Sequence, residues 1–130
     1  MAVVVLDAGA VSAFAGADRL MRERIRRLLD RSGDPFIVPV GVIVESTTGA
    51  AGRDARVNRF LHGCEIAPLT ELIARRAAAL RFGARVGSAV DATVVATAES
   101  RGGGVVLTGD LDDLGPLAMQ SRAVRVMGLP

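Results

Sequence analysis

The chain has 130 residues, half of them hydrophobic, and a net charge of +2. That length allows a sizeable buried core, and no apolar run approaches the roughly 20 residues of a membrane span. All 16 basic residues are arginine and Cys64 is the only cysteine, which excludes lysine Schiff-base chemistry, lysine-dependent phosphate loops and a disulfide framework.

Along the chain the hydrophobic period alternates between strand-like and helix-like, the pattern of an α/β protein. AVVVL is a short β-branched run suited to a strand buried on both faces. It follows no basic leader and meets an acid at once, so it reads as a first strand and not a signal peptide. A cytoplasmic location is the expectation. A helical turn is expected over Ala10–Phe14, broken near Gly16. Asp18 then caps a helix over Arg19–Arg31, with Met21, Ile25, Leu28 and Leu29 on one face and arginines on the rest. Gly33, Asp34 and Pro35 stop it.

Phe36–Val38 reads as the next strand, and Pro39 as the opening of a helix that carries Glu45. A small-residue turn, TTGAAGRDA, leads to a short helix through Phe60 and Leu61. Glu65–Ala67 is a brief strand ended by Pro68, and Thr70 caps a helix through LIARRAAALRF. After a break at Gly87 and Ser88, a helix is predicted to begin near Asp91. Arg101–Gly104 is a turn, VVLT a buried strand, DLDDLGPLAM a helical segment and AVRVM an edge strand. With no repeat or linker, residues 1–130 read as one domain. Phe14, Phe36, Phe60 and Phe82, the only aromatics, are all expected in the core, which leaves no base-stacking platform.

Four acids stand where apolar runs give out: Asp7 after VVVL, Glu45 after VGVIV, Asp91 after SAV and Asp110 after VVLTG. In open parallel sheets, ligands bind beyond the carboxyl ends of the strands. Asp7 and Asp110 sit at such ends, whereas Glu45 and Asp91 are expected in the first turns of helices that return to the same edge. Buried together, these carboxylates need protons, arginines or a metal ion. An oxygen-only set suits Mg²⁺ or Mn²⁺. Zinc is disfavoured, since His62 and Cys64 are the only soft ligands. The plainer roles are a helix cap for Asp7 or Asp91 and a solvated helix position for Glu45.

Several phosphate chemistries fail on their residues. A phosphatase of the haloacid dehalogenase type needs a second Asp where Gly9 stands, and a lysine. A response-regulator receiver lacks its lysine likewise. DAGAVSA does not supply the glycine pattern of a dinucleotide site.

LDAGAVSAF, VPVGVIVES, SAVDATVVATA and VVLTGDLDDLGPLA together resemble a PIN domain, and within that group the VapC-type toxins of bacterial toxin–antitoxin pairs. The resemblance spans nearly the whole chain. It places the family's acidic quartet on Asp7, Glu45, Asp91 and Asp110, a frequent additional acid on Asp113 and a neighbouring hydroxyl on Thr108. Ala8 stands where many relatives have Thr or Ser, and Ser88 where many have Asp. The resemblance implies a three-layer α/β/α sandwich with a mainly parallel sheet and an Mg²⁺- or Mn²⁺-dependent endoribonuclease acting on RNA. It also implies a cognate antitoxin that blocks the site, and a homodimer.

On that reading Asp7, Asp91 and Asp110 hold the ion, Glu45 orients or deprotonates the attacking water, and Asp113 and Thr108 support Asp110. Arg19, Arg22, Arg24, Arg26, Arg27 and Arg31 crowd one helix and are candidates to attract RNA. The same helix face has two other readings, a solvated surface and an antitoxin contact. The rival to an enzyme is a PIN-like RNA- or protein-binding module.

Overall fold

The computed structural model describes residues 3–28 and 34–129. Among these, five strands pair into one all-parallel sheet: β1 (Val3–Leu6), β2 (Ile37–Pro39), β3 (Glu65–Ala67), β4 (Gly104–Thr108) and β5 (Val124–Gly128). Their spatial order is β3-β2-β1-β4-β5. The chain steps from β1 outward through β2 and β3, then returns to the other side of β1 with β4 and β5. The direction of winding therefore reverses between β1 and β4, and such a switch point opens a crevice at the strands' carboxyl ends. No described helix is long and apolar enough to cross a membrane.

The connections are the helices α1 (Ala8–Gly16), α2 (Arg19–Leu28), α3 (Val40–Ser46), α4 (Ala55–Leu61), α5 (Glu71–Ala84), α6 (Ala89–Ser100) and α7 (Leu111–Met119). α1 packs on α4 and reaches β1 and β4, while α5, α6 and α7 pack together and α6 lies across β1, β2 and β4. Sheet and helices thus make the expected three-layer arrangement. Val4, Val5, Leu6, Val38, Val106 and Leu107 fill its middle, each buried. A near-continuous apolar strand is what a sheet covered on both faces requires.

Between α1, α4 and the entry to β2 lies an aromatic cluster. Phe14 stacks on Phe60 with centroids 5.6 Å apart and meets Phe36 at 5.1 Å. The Arg26 guanidinium covers Phe36 from α2 at 4.5 Å. Phe82 departs from the expectation of a core position: it is 79% exposed, on the outer side of α5. Ala77 and Leu80, three residues apart, take the buried face of that helix, and Phe82, two residues past Leu80, falls on the other side of the 3.6-residue period.

Several boundaries also move. α1 begins at Ala8, two residues earlier than expected, because Asp7 caps it directly. Gly104 belongs to β4 and not to the preceding turn; a Cβ there would lie 2.4 Å from the Val3 carbonyl oxygen, so only glycine allows the two strands to pair at that point. Ala2, Leu29, Arg31 and Gly33, which the sequence places in the first strand, the α2 helix and its stop, lie outside the described residues.

The loop between α3 and α4 is closed by Asp54, which is buried. Its carboxylate accepts from the Thr48 and Gly49 amides at 2.9 and 2.8 Å and from the Thr48 hydroxyl at 2.9 Å. The Thr48 amide, first among these donors, holds the Asp54 carboxyl below its ordinary value of 3.8. On the other layer, Arg76 of α5 donates to Glu99 of α6 and to the Gln120 carbonyl at 3.4 Å, tying three helices together. Both partners are partly exposed, so the pair adds about 0–1 kcal/mol.

Phe14→Ala should lower unfolding stability by about 3–5 kcal/mol in chemical denaturation, whereas Phe82→Ala should stay within about 0.5 kcal/mol of the parent. A depressed carboxyl stabilises the fold at pH above its unfolded value and loses that contribution as pH falls through the folded one. Asp54→Asn should therefore be less stable than the parent at neutral pH, and the gap should close in denaturation curves taken progressively below pH 3.8.

Candidate functional site

Asp7 follows β1 directly and is only 5% exposed. Its carboxylate accepts from the Ala10 amide at 2.8 Å, capping α1, and from the Thr108 hydroxyl through a short hydrogen bond. Thr108, the last residue of β4, in turn accepts from the Asp110 amide at 2.7 Å. One hydroxyl thus joins the acid at the end of β1 to the acid after β4. The sequence assigned Thr108 to the support of Asp110 alone; the fold places it against Asp7 as well, because Leu6 and Leu107 are paired in register one residue earlier.

The two turns approach through a pair of glycines. A Cβ on Gly9 would sit 3.2 Å from the Gly109 Cα and 3.5 Å from Asp7 Oδ1. Neither glycine was singled out for the site from the sequence, although each stands within two residues of a strand-end acid, which is the available signal.

Asp110 caps α7, its Oδ1 accepting from the Asp113 amide at 3.2 Å. Asp113, one turn into that helix, has its carboxyl held above the ordinary aspartate value. The charge on Asp110 is the chief cause, followed by loss of solvent and the charge on Asp91. Asp91, Asp110 and Asp113 therefore share one electrostatic neighbourhood. A cavity of about 350 Å³ opens beside Asp110, lined also by Thr108, Asp112 and Leu129.

Asp91 is the third residue of α6 and not its cap. Ser88 caps the helix: its hydroxyl accepts from the Asp91 amide at 3.1 Å, and Asp91 Oδ2 accepts from the Ser88 amide at 3.2 Å. This reciprocal pair is a capping box. It fixes the Asp91 side chain at the helix start with one oxygen already engaged.

Glu45 lies in the last turn of α3, not the first, since Pro39 caps a helix of only seven residues. It stands four residues beyond Gly41, whose Cβ position faces Val90 and Thr93 of α6 at 3.9 Å. Residues four apart share a helix face, so Glu45 is on the side of α3 turned toward α6. It is exposed. Among the described residues, no group of three or more His, Cys, Asp or Glu side chains is gathered at metal-binding separation. The thiol of Cys64 donates to the Phe60 carbonyl at 3.5 Å, and burial pushes its pKa up to about 11, far from the thiolate that zinc binding needs.

An all-parallel α/β/α domain with carboxylates at its switch point is the class that fold and site define. Residues 4–114 match the PIN domain, and the chain belongs to that family. PIN domains are in general nucleases. None of the curated proteins is a recognisable sequence relative. Among solved structures the chain is similar to one in the DNA-bound VapBC of Salmonella typhimurium, with 20% identity, a TM-score of 0.70 and 98% of each chain covered. It is also similar to one in VapBC2 of Rickettsia felis bound to a promoter DNA fragment, at 9% identity and TM-score 0.74 over 98% of this chain and 99% of that one. A toxin–antitoxin complex from Klebsiella pneumoniae gives 18% and 0.67 over 94% and 95%. At these identities the likeness establishes the fold.

Thr108→Val keeps the shape of the side chain but removes the donor to Asp7 Oδ2, leaving that carboxylate only the Ala10 amide, and takes the acceptor from the Asp110 amide. It should cost about 1–3 kcal/mol in denaturation, more than the same change at an exposed threonine.

Proposed function

We propose that the protein is a metal-dependent endoribonuclease of the VapC type, a single PIN-like domain acting as the toxin of a toxin–antitoxin pair. The observation that carries this reading is the hydroxyl bridge between Asp7 and Asp110 at the β1/β4 switch point. It ties the Asp7 carboxylate to the backbone of Asp110, which supports a shared crevice for the two acids, with Asp113 feeling the charges of Asp110 and Asp91. Like charges crowded in this way are relieved by a cation, and a donor set made only of oxygen fits Mg²⁺ or Mn²⁺.

Asp7, Asp91 and Asp110 would hold the ion, directly or through waters. When bound, it supplies the positive charge and the acidified water that phosphodiester hydrolysis requires. Thr108 fixes the Asp7 carboxylate, and Asp113 adds negative charge beside Asp110. Glu45, from the α3 face turned to α6, orients the attacking water or takes its proton. In-line attack leaves a 5′-phosphate and a 3′-hydroxyl. RNA is drawn by arginine, with Arg19, Arg22 and Arg26 of α2 the first candidates, because the acid crevice itself repels phosphate. Likeness to chains from VapBC and toxin–antitoxin complexes supports an antitoxin partner; a homodimer and a cytoplasmic setting complete the proposal.

The test is to map new 5′-phosphate ends in total cellular RNA incubated with the purified protein and Mn²⁺. Discrete ends are expected for the parent and a loss on the order of 100-fold or more for Asp91→Asn. Identical end maps for the two proteins would sink the nuclease and leave a PIN-like RNA- or protein-binding module.

A further inference from the structure

The arginines of α2 are not alike in their surroundings. Arg19 pairs with Glu23 one turn on, at 3.1 Å. Arg26 lies over Phe36 and donates to the Asp34 carbonyl at 3.1 Å. Arg22 has neither kind of partner: its Nε is buried and without a hydrogen bond. Its side chain lines a cavity of about 350 Å³, together with Arg56 and Arg59 of α4. Asp18 also borders this space, but it is engaged as the cap of α2, accepting from the Met21 amide at 2.8 Å. Among the described residues, no carboxylate is ion-paired with any of the three guanidiniums.

A buried donor without an acceptor is costly, and like charges around one cavity repel. An anion that offers several acceptor oxygens answers both. The guanidinium fork matches phosphate in two-point contact. The cavity is built on Ala15, Gly16 and Ala17, at the end of α1 opposite Asp7. A helix of nine residues is roughly 14 Å long at the usual rise, so a phosphate held here belongs to a different nucleotide from the one at the acid crevice.

We propose that Arg22, Arg56 and Arg59 form a phosphate-binding exosite that holds the backbone of single-stranded RNA away from the point of cleavage. The proposal rests on the ribonuclease reading and deepens it, supplying the attraction that the acid crevice lacks. Two of the three residues come from α4, so the RNA contact is a cleft between helices and not one helix face.

The exosite is tested by the salt dependence of binding to a fluorescein-labelled single-stranded oligoribonucleotide, read by anisotropy without divalent metal so that nothing is cut. Arg56→Gln with Arg59→Gln changes two exposed residues, and Arg75→Gln with Arg81→Gln on α5 removes the same charge elsewhere. Loss of two phosphate contacts should flatten the log–log salt slope by about 1.4, while the α5 pair keeps the parent's slope. With Mn²⁺ present, the exosite pair should raise KM for RNA more than it lowers kcat. A parent-like slope in the exosite pair, or an equal loss in the α5 pair, overturns the proposal. So does lost capture of an oligoglutamate peptide with RNA binding intact, which would mark the cavity as a protein contact. If the parent binds through the exosite yet cuts no RNA, the exosite stands and the ribonuclease reading fails.

Discussion

Asp7 is a carboxylate set at the edge of an apolar sheet, and the geometry around it follows from the need to keep it there. Both of its hydrogen-bond partners are neutral, the Ala10 amide and the Thr108 hydroxyl. A buried charge held only by neutral donors is tolerable when those donors are fixed and aimed. The register of β1 against β4 aims the hydroxyl, and the glycine pair at positions 9 and 109 lets the two turns close over it. The price is specificity of sequence in a small area: the acid, the hydroxyl and both glycines depend on one another.

Helix α1 relates the two charged regions of the molecule. Its amino end, where the peptide dipoles present partial positive charge, points at Asp7, and its carboxyl end, with partial negative charge, adjoins the Arg22–Arg56–Arg59 cavity. One short helix therefore favours an anion at one end and cations at the other. The opposed fields explain how a chain with a net charge of only +2 keeps an acid crevice and a basic cleft as separate features.

What could be read from the sequence was whatever depends on local pattern. Apolar runs ending in acids located β1, β4 and the residues after them, the alternation of periods foresaw an α/β protein, and the family resemblance supplied the parallel sheet between helix layers. Glu45 was placed on the right helix but in the wrong turn: a helix that opens at Pro39 already carries a residue six positions on past its first turn. Ser88 looked like a lost acid and turned out to cap α6, a role visible only once the helix start is fixed. Phe82 was assigned inside on hydrophobicity alone, although its neighbours Ala77 and Leu80 occupy the buried side. The grouping of Arg22 with Arg56 and Arg59 has no sequence signal, because it arises from α2 and α4 meeting in space.

The bond between Thr108 and Asp7 spans 101 positions of the chain. Loops this long close late, and contacts of high sequence separation slow folding. On the ribosome, β1 emerges first and must wait unpaired on that side until β4 follows. The acid crevice consequently does not exist in any nascent chain short of residue 108, however complete the first three strands are. A premature stop or a stalled ribosome between β3 and β4 yields fragments in which β1 lacks its β4 partner and the site is unassembled, so synthesis itself delays whatever chemistry the finished protein performs.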